Sequence, residues 1–259
     1  MAAILLDIDG VLHVSGEPVP GGGDAVRALR AEGHRLRFVT NNTTRARRQL
    51  AGELRELGIE LDDDELTTTA VVASRLLAGK RVLALTMEAV KDDLGAEVEL
   101  VEGDADVVLL GGADESEETG HVFGYENLNR AFAELDGGAR LVCLHRNRWW
   151  QTSGGPRLDG GAYVAGLEYA AGVEAEVVGK PARAYFDAAL AEIGAAPADA
   201  VMVGDDVEAD VGGAKAAGMR AVLVRTGKFR EATLAAADPL PDGVVDSIAD
   251  VPVFLRGRA

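Results

Sequence analysis

The chain alternates between short, uninterrupted apolar runs and longer stretches in which apolar positions recur at helical spacing. The first pattern predicts strands buried on both faces and the second predicts helices lying over them, which together predict a parallel α/β arrangement. Ile4-Leu5-Leu6 is the first apolar run, and Arg35–Val39, Ala175–Val178, Ala200–Val203 and Ala221–Val224 repeat it. Helical spacing covers Ala25–Arg30, roughly 45–58 and 65–78, Ala182–Ile193 and Val211–Gly218, with Gly33, Gly79 and Gly218 as stops. Pro181 suits the first turn of the helix over Ala182–Ile193. Between these blocks a second alternation runs: strands at 81–85, 98–101, 106–110 and 140–144, helices near 87–94, 125–135 and 160–171. The expected fold is a doubly wound, parallel-sheet, Rossmann-like core built from 1–79 and 173–259, with a smaller α/β unit inserted over 80–172. No repeat and no low-complexity tract interrupts it.

Composition narrows the partners more than the chemistry. At 259 residues and 47% hydrophobic content the chain can bury a sizeable core. No segment approaches a membrane span, and the first strand follows Met1 too closely for a signal peptide, so the expectation is a cytoplasmic protein without a membrane partner. The single cysteine, Cys143, sits within Leu141-Val142-Cys143-Leu144 and reads as a packing residue. A net charge of -17 disfavours nucleic acid and anionic membranes. A small anion can still be held by a local cluster of donors.

Four strand ends carry such chemistry. Asp7-Ile8-Asp9-Gly10 places two carboxylates on one side of a strand end, where ligands bind in open α/β sheets, and their repulsion calls for a hard cation or a raised pKa. Thr40-Asn41-Asn42-Thr43-Thr44 offers hydroxyls and amides that suit phosphate oxygens or, more simply, a helix N-cap. Lys180 stands at a strand-to-helix junction as a mobile point charge. Gly204-Asp205-Asp206, with Asp210 beyond, forms a second acidic end. Each has a bland reading: a solvated turn, a cap, a surface lysine.

Taken in order, Asp7-Ile8-Asp9-Gly10, Thr40-Asn41, Lys180-Pro181 and Gly204-Asp205-Asp206 through Asp210 resemble the four motifs of the haloacid dehalogenase superfamily of phosphohydrolases. The inserted block resembles the α/β cap of the nitrophenylphosphatase and phosphoglycolate phosphatase branch. Tyr125–Phe132, Leu167–Ala170, Val177–Pro181 and Arg225-Thr226-Gly227-Lys228-Phe229 are similar to the phospholysine phosphohistidine inorganic pyrophosphate phosphatase group. Some of that group carry serine where this chain has Asp9. The resemblance implies a phosphatase with Asp7 as nucleophile and Asp9 as general acid and base. It implies Mg²⁺ held by Asp7, the Asp9 main-chain carbonyl and Asp205, and a phosphoryl group held by Thr40, Asn41 and Lys180. Asp206 and Asp210 then support the site by orienting water or Lys180. Specificity would come from the cap, with His145, Arg146, Arg148 and Trp149 as candidates. The implied partner is a small phosphorylated substrate, and related caps imply a possible homodimer. Two alternatives use similar residues: a receiver-type domain whose output is the phosphoaspartate, and a non-catalytic phospho-ligand binding protein on the same scaffold.

Overall fold

The computed structural model describes residues 1–152 and 154–257. The chain divides into two compact units, one built from Met1–Thr40, Arg48–Thr67 and Lys180–Ala259, the other from Asn41–Arg47 and Thr68–Gly179. Among the described residues no helix is long and apolar enough to cross a membrane.

The first unit is organised by one parallel sheet in the order Gly243–Val245, Arg220–Val224, Ala200–Gly204, Ala3–Asp7, Arg35–Val39, Leu66–Thr67. Its central strand, Ala3–Asp7, is buried along its whole length, which is why the sequence there is an unbroken apolar run. Leu6 lies opposite both Phe38 and Val203, so three strands end level with one another. The chain steps outward from Ala3–Asp7 to one side and later, from Ala200–Gly204, to the other. That reversal creates a crevice beyond the carboxyl ends of the two strands. Ile4, Leu6, Val26, Leu29, Phe38, Leu54, Val201, Val203, Val222 and Ile248 form the core that fixes the strands, each larger side chain worth about 1.5–3 kcal/mol of burial.

Three local expectations are corrected here. Leu66–Thr67 is a strand paired with Phe38–Val39, not the start of a helix. The helix of that stretch is Thr69–Leu76, opened by Thr68, whose hydroxyl accepts from the Val71 amide. Pro181 precedes its helix, which spans Arg183–Ile193 with Ala182 as the extended N-cap residue. The helix expected over Val211–Gly218 begins earlier, with a widened π-helical turn at Val207–Gly212 that runs into Gly213–Ala216. Asp206 starts it, accepting from the Glu208 and Ala209 amides.

The second unit has its own parallel sheet, ordered Glu176–Val177, Arg140–Cys143, Val107–Leu110, Arg81–Leu85, Glu99–Leu100. Helices Glu88–Leu94, Glu117–Val122, Tyr125–Asp136 and Gly160–Ala171 belong to it, and Phe123 stacks on Tyr163 with centroids 4.2 Å apart. An antiparallel hairpin, Trp149–Thr152 with Gly155–Leu158, occupies the stretch that periodicity left unassigned.

Candidate active site

Parallel register does most of the positioning. Asp7 ends the central strand, Thr40 follows Val39 on one side and Asp205 follows Gly204 on the other, so three chemically capable residues meet at one edge of the first unit. Lys180 enters just before the helix Arg183–Ile193 and completes the group. Its ammonium donates to Asp7 Oδ1 and Asp210 Oδ1, each at 2.7 Å. All three residues are buried, with Lys180 at 5%, Asp7 at 7% and Asp210 at 0% exposure. Burying such charges is costly unless the atoms they do not share are paired as well. Asp210 shows this directly, since its second oxygen accepts from the Asp206 amide at 3.1 Å.

Asp205 is held differently. Its Oδ2 accepts from the Lys228 amide at 2.6 Å, while its Oδ1 is buried without a hydrogen-bond partner among the described residues. The loop that supplies that amide requires Gly227: its φ is +60°, and a Cβ there would lie 2.0 Å from Asp205 Oδ2 and 2.5 Å from Gly10 Cα. Thr226 ties the loop to the first motif by donating to the Gly10 carbonyl. Asp206 faces the same loop, with its Oδ2 3.4 Å from Lys228 Nζ.

These surroundings set the charges. Burial pushes the Asp7 carboxyl up to about 6; Lys180 opposes the rise, while Asp205 and Asp9 add to it. Burial likewise carries Asp205 to about 6, against the Lys228 amide. Asp210 reaches about 7, through burial and the neighbouring Asp7, with Lys180 opposing. Burial works against the Lys180 ammonium, but Asp210 and Asp7 outweigh it and hold the lysine charged. Asp206 goes the other way: although burial disfavours its charge, the Ala209 amide, Lys228 and the Glu208 amide keep it below the usual range.

One oxygen each from Asp7, Asp205 and Asp210 lie within 4.8 Å of one another. An all-oxygen set of this kind suits a hard divalent cation, and the orphaned Asp205 Oδ1 is the atom most in need of one. Asp210 is less available, because both its oxygens are already engaged. Asp9 lies outside this buried cluster. Its side chain is 59% exposed, with His13 Nε2 3.7 Å away.

Thr40 is buried, and its amide donates to the Tyr185 hydroxyl at 2.8 Å. That hydroxyl also lies 2.8 Å from the Thr67 carbonyl and 3.0 Å from the Thr40 carbonyl, so one phenol ties the ends of two adjacent strands. Asn41 is the first residue of the second unit, where a Cβ on Gly179 would come within 2.7 Å of its Oδ1. Asn42 closes a local turn, its Oδ1 accepting from the Thr44 and Arg45 amides, and the helix begins only at Arg47.

Within the second unit the cap candidates part company. His145 is 4% exposed; its Nδ1 accepts from the Asn147 amide at 3.1 Å, which leaves the proton on Nε2, 3.5 Å from Asp159 Oδ1. Asp159 Oδ1 also accepts from the Gly160 and Ala113 amides, so these residues knit two loops and the start of a helix together. Arg146 is turned to Glu168 at 2.5 Å. Arg148 and Trp149 are exposed on and beside the hairpin. Tyr185 and Lys228 are the site residues that motif reading passed over. Lys228 had a signal, the Arg225–Phe229 string, but no role attached to it; Tyr185 had none.

Comparison with known proteins bears on this geometry. A family model for haloacid dehalogenase-like hydrolases matches residues 4–97, and a related HAD-hydrolase-like model matches 177–251. The chain is 40% identical to the phospholysine phosphohistidine inorganic pyrophosphate phosphatase of Xenopus laevis over 255 residues, covering 95% of this chain and 92% of that protein. Among solved structures it resembles a p-nitrophenyl phosphatase from Archaeoglobus fulgidus, with a TM-score of 0.89, 29% identity and 98% of both chains covered. It also resembles a glycerol phosphate phosphatase from Mycobacterium tuberculosis in complex with magnesium, with a TM-score of 0.84 and 28% identity over 95% of this chain and 75% of that one. The chain belongs to the haloacid dehalogenase-like hydrolases. Within them it is a phosphatase of the nitrophenylphosphatase branch.

Proposed function

We propose that the chain is a Mg²⁺-dependent phosphatase that hydrolyses a small phosphorylated metabolite, a phosphoamino acid or pyrophosphate through an aspartyl-phosphate on Asp7. The observation that carries this reading is the buried Lys180 ammonium bonded at 2.7 Å to Asp7 and Asp210, beside an Asp205 oxygen that has no partner among the described residues. Mg²⁺ held by Asp7, the Asp9 main-chain carbonyl and Asp205 supplies the positive charge that offsets repulsion between a carboxylate and a phosphate dianion.

In this reading Lys180 keeps Asp7 ionised against the cost of burial, which leaves a carboxylate oxygen able to attack phosphorus. The phosphorus–leaving-oxygen bond breaks as Asp9 delivers its proton to that oxygen. Asp9 then takes a proton from water, the water oxygen attacks phosphorus, and the bond to Asp7 breaks to release orthophosphate and restore both carboxyl groups. The exposed position of the Asp9 side chain suits a group that gives one proton to the leaving group and takes one from water in each turnover. Thr40, Asn41 and Lys180 hold the phosphoryl oxygens, Thr40 steadied by Tyr185, and Asp210 and Asp206 orient Lys180 and water. The second unit serves as the cap, the sequence-expected block over 80–172 forming its body.

Phosphate release from pyrophosphate, a phosphoamino acid, phosphoglycolate, a nucleotide, a sugar phosphate and p-nitrophenyl phosphate tests the proposal, with Mg²⁺ or with EDTA. Turnover is expected with Mg²⁺, none with EDTA, and none in Asp7→Asn. Wild-type rates in Asp7→Asn would rule the mechanism out.

A further inference from the structure

The site contains two lysines held in opposite ways. Lys180 is fixed: its side chain is 3% exposed and bonded to two carboxylates. Lys228 is not. Its side chain is 66% exposed, and among the described residues its ammonium has one long contact, 3.4 Å to Asp206 Oδ2. Yet the backbone of Lys228 is anchored, because its amide holds Asp205 and the preceding Gly227 lies against Gly10. The result is an anchored Cα carrying a loosely held cation on a four-carbon stem, directly beside Asp205. Asp206 spends its other oxygen on the Glu208 and Ala209 amides, so its hold on Lys228 is a single stretched contact that a stronger acceptor can replace.

We propose that Lys228 forms a subsite for the second phosphoryl group of a phosphoanhydride substrate such as pyrophosphate. This rests on the phosphatase reading of Asp7 and Lys180 and adds a substrate class to it. The transferred phosphoryl group is served by Lys180; a phosphoanhydride brings a second phosphoryl group, which leaves as an anion and gains charge as the bond breaks. A loosely held ammonium beside Asp205 neutralises that charge, whereas a leaving group that ends as a neutral alcohol gives it nothing to bind. The phosphoryl group also has three acceptor oxygens for the three ammonium donors, against two for a carboxylate.

Isothermal titration of the Mg²⁺-loaded chain, with Mg²⁺ matched in both solutions, tests this using methylenediphosphonate, phosphonoacetate and orthophosphate. None of these probes is hydrolysed, so the titration reads the subsite whether or not turnover occurs, and p-nitrophenyl phosphate hydrolysis run alongside reports separately on the phosphatase reading. The wild type is expected to prefer methylenediphosphonate over orthophosphate by about tenfold or more, the worth of a charge-assisted contact. Lys228→Met keeps the main-chain amide on Asp205 and is expected to abolish most of that preference, and Lys228→Arg to retain it. An unchanged preference in Lys228→Met, equal weakening of all three probes, or no wild-type preference overturns the proposal. Preference for phosphonoacetate would overturn it too, assigning the subsite to a carboxylate.

Discussion

At the scale of single residues, the site is a balance between burial and one lysine. Asp7 and Asp205 are raised to about 6 and Asp210 to about 7, from an ordinary value of 3.8, because each is desolvated beside other acids. The sign of the consequence follows from proton counting. Between about pH 4 and 7 the native state keeps protons on these groups that the unfolded chain has released, so their contribution to stability falls as pH rises through that window. Mg²⁺ binding would reverse the balance at its proposed ligands Asp7 and Asp205, since it requires both ionised. The increase in melting temperature on adding Mg²⁺ is therefore expected to be larger at pH 7.5 than at pH 5, as read by scanning calorimetry with and without EDTA. Equal increases at the two pH values would mean that the metal does not bind these carboxylates. His145 illustrates the opposite outcome at this scale: a residue picked out for specificity proves to be buried and engaged with the Asn147 amide and Asp159.

At the scale of elements, the site depends on loops that hold carboxylates in one rotamer. Gly227→Ala tests this, because a Cβ would meet Asp205 Oδ2 at 2.0 Å, and a positive φ costs a side chain about 1–3 kcal/mol in any case. Gly16→Ala is the control: its φ is +82° with nothing within 4 Å of the added carbon, so it carries the backbone cost alone. Urea denaturation is expected to show both variants destabilised and Gly227→Ala more so, and Mg²⁺ titration to show weakened binding only in Gly227→Ala. Equal behaviour of the two would mean that the loop does not position Asp205. What was legible in the sequence follows the same division. Ile4–Leu6 and Ala200–Val203 could be read as strands because both faces are buried, and the acids at their ends then fell together by register. Leu66–Thr67 could not, since a two-residue edge strand leaves no period and the apolar residues after it read as one helix. The hairpin at Trp149–Thr152 was illegible for a related reason: it belongs to no buried sheet, so its aromatic residues carried no alternation that a core would enforce. Tyr185 left no trace because a phenol bonding three main-chain groups looks, in sequence, like one more apolar position on a helix.

At the scale of the whole molecule, charge is the property that local geometry does not absorb. Lys and Arg number 26 against 43 Asp and Glu, so even complete pairing leaves an excess of 17 acidic groups, the net charge of -17. Several cations are already committed to carboxylates, among them Arg30 to Glu65, Lys215 to Asp242 and Lys180 to two acids at once. The uncommitted acids repel one another across the surface, which disfavours the compact state relative to the expanded one. Added salt shortens the range of that repulsion, with a screening length of about 10 Å at 0.1 M and about 3 Å at 1 M. Raising KCl from low concentration toward 0.5 M at pH 7 is therefore expected to raise the melting temperature by about 2–4 °C for each kcal/mol of repulsion removed. The same titration near pH 4.6, where the sequence carries no net charge, isolates the cause. There the net repulsion is gone and the remaining attractive pairs are what salt weakens, so the melting temperature is expected to stay level or fall. A rise of the same size at both pH values would show that KCl acts through solvent exclusion from apolar surface rather than through charge.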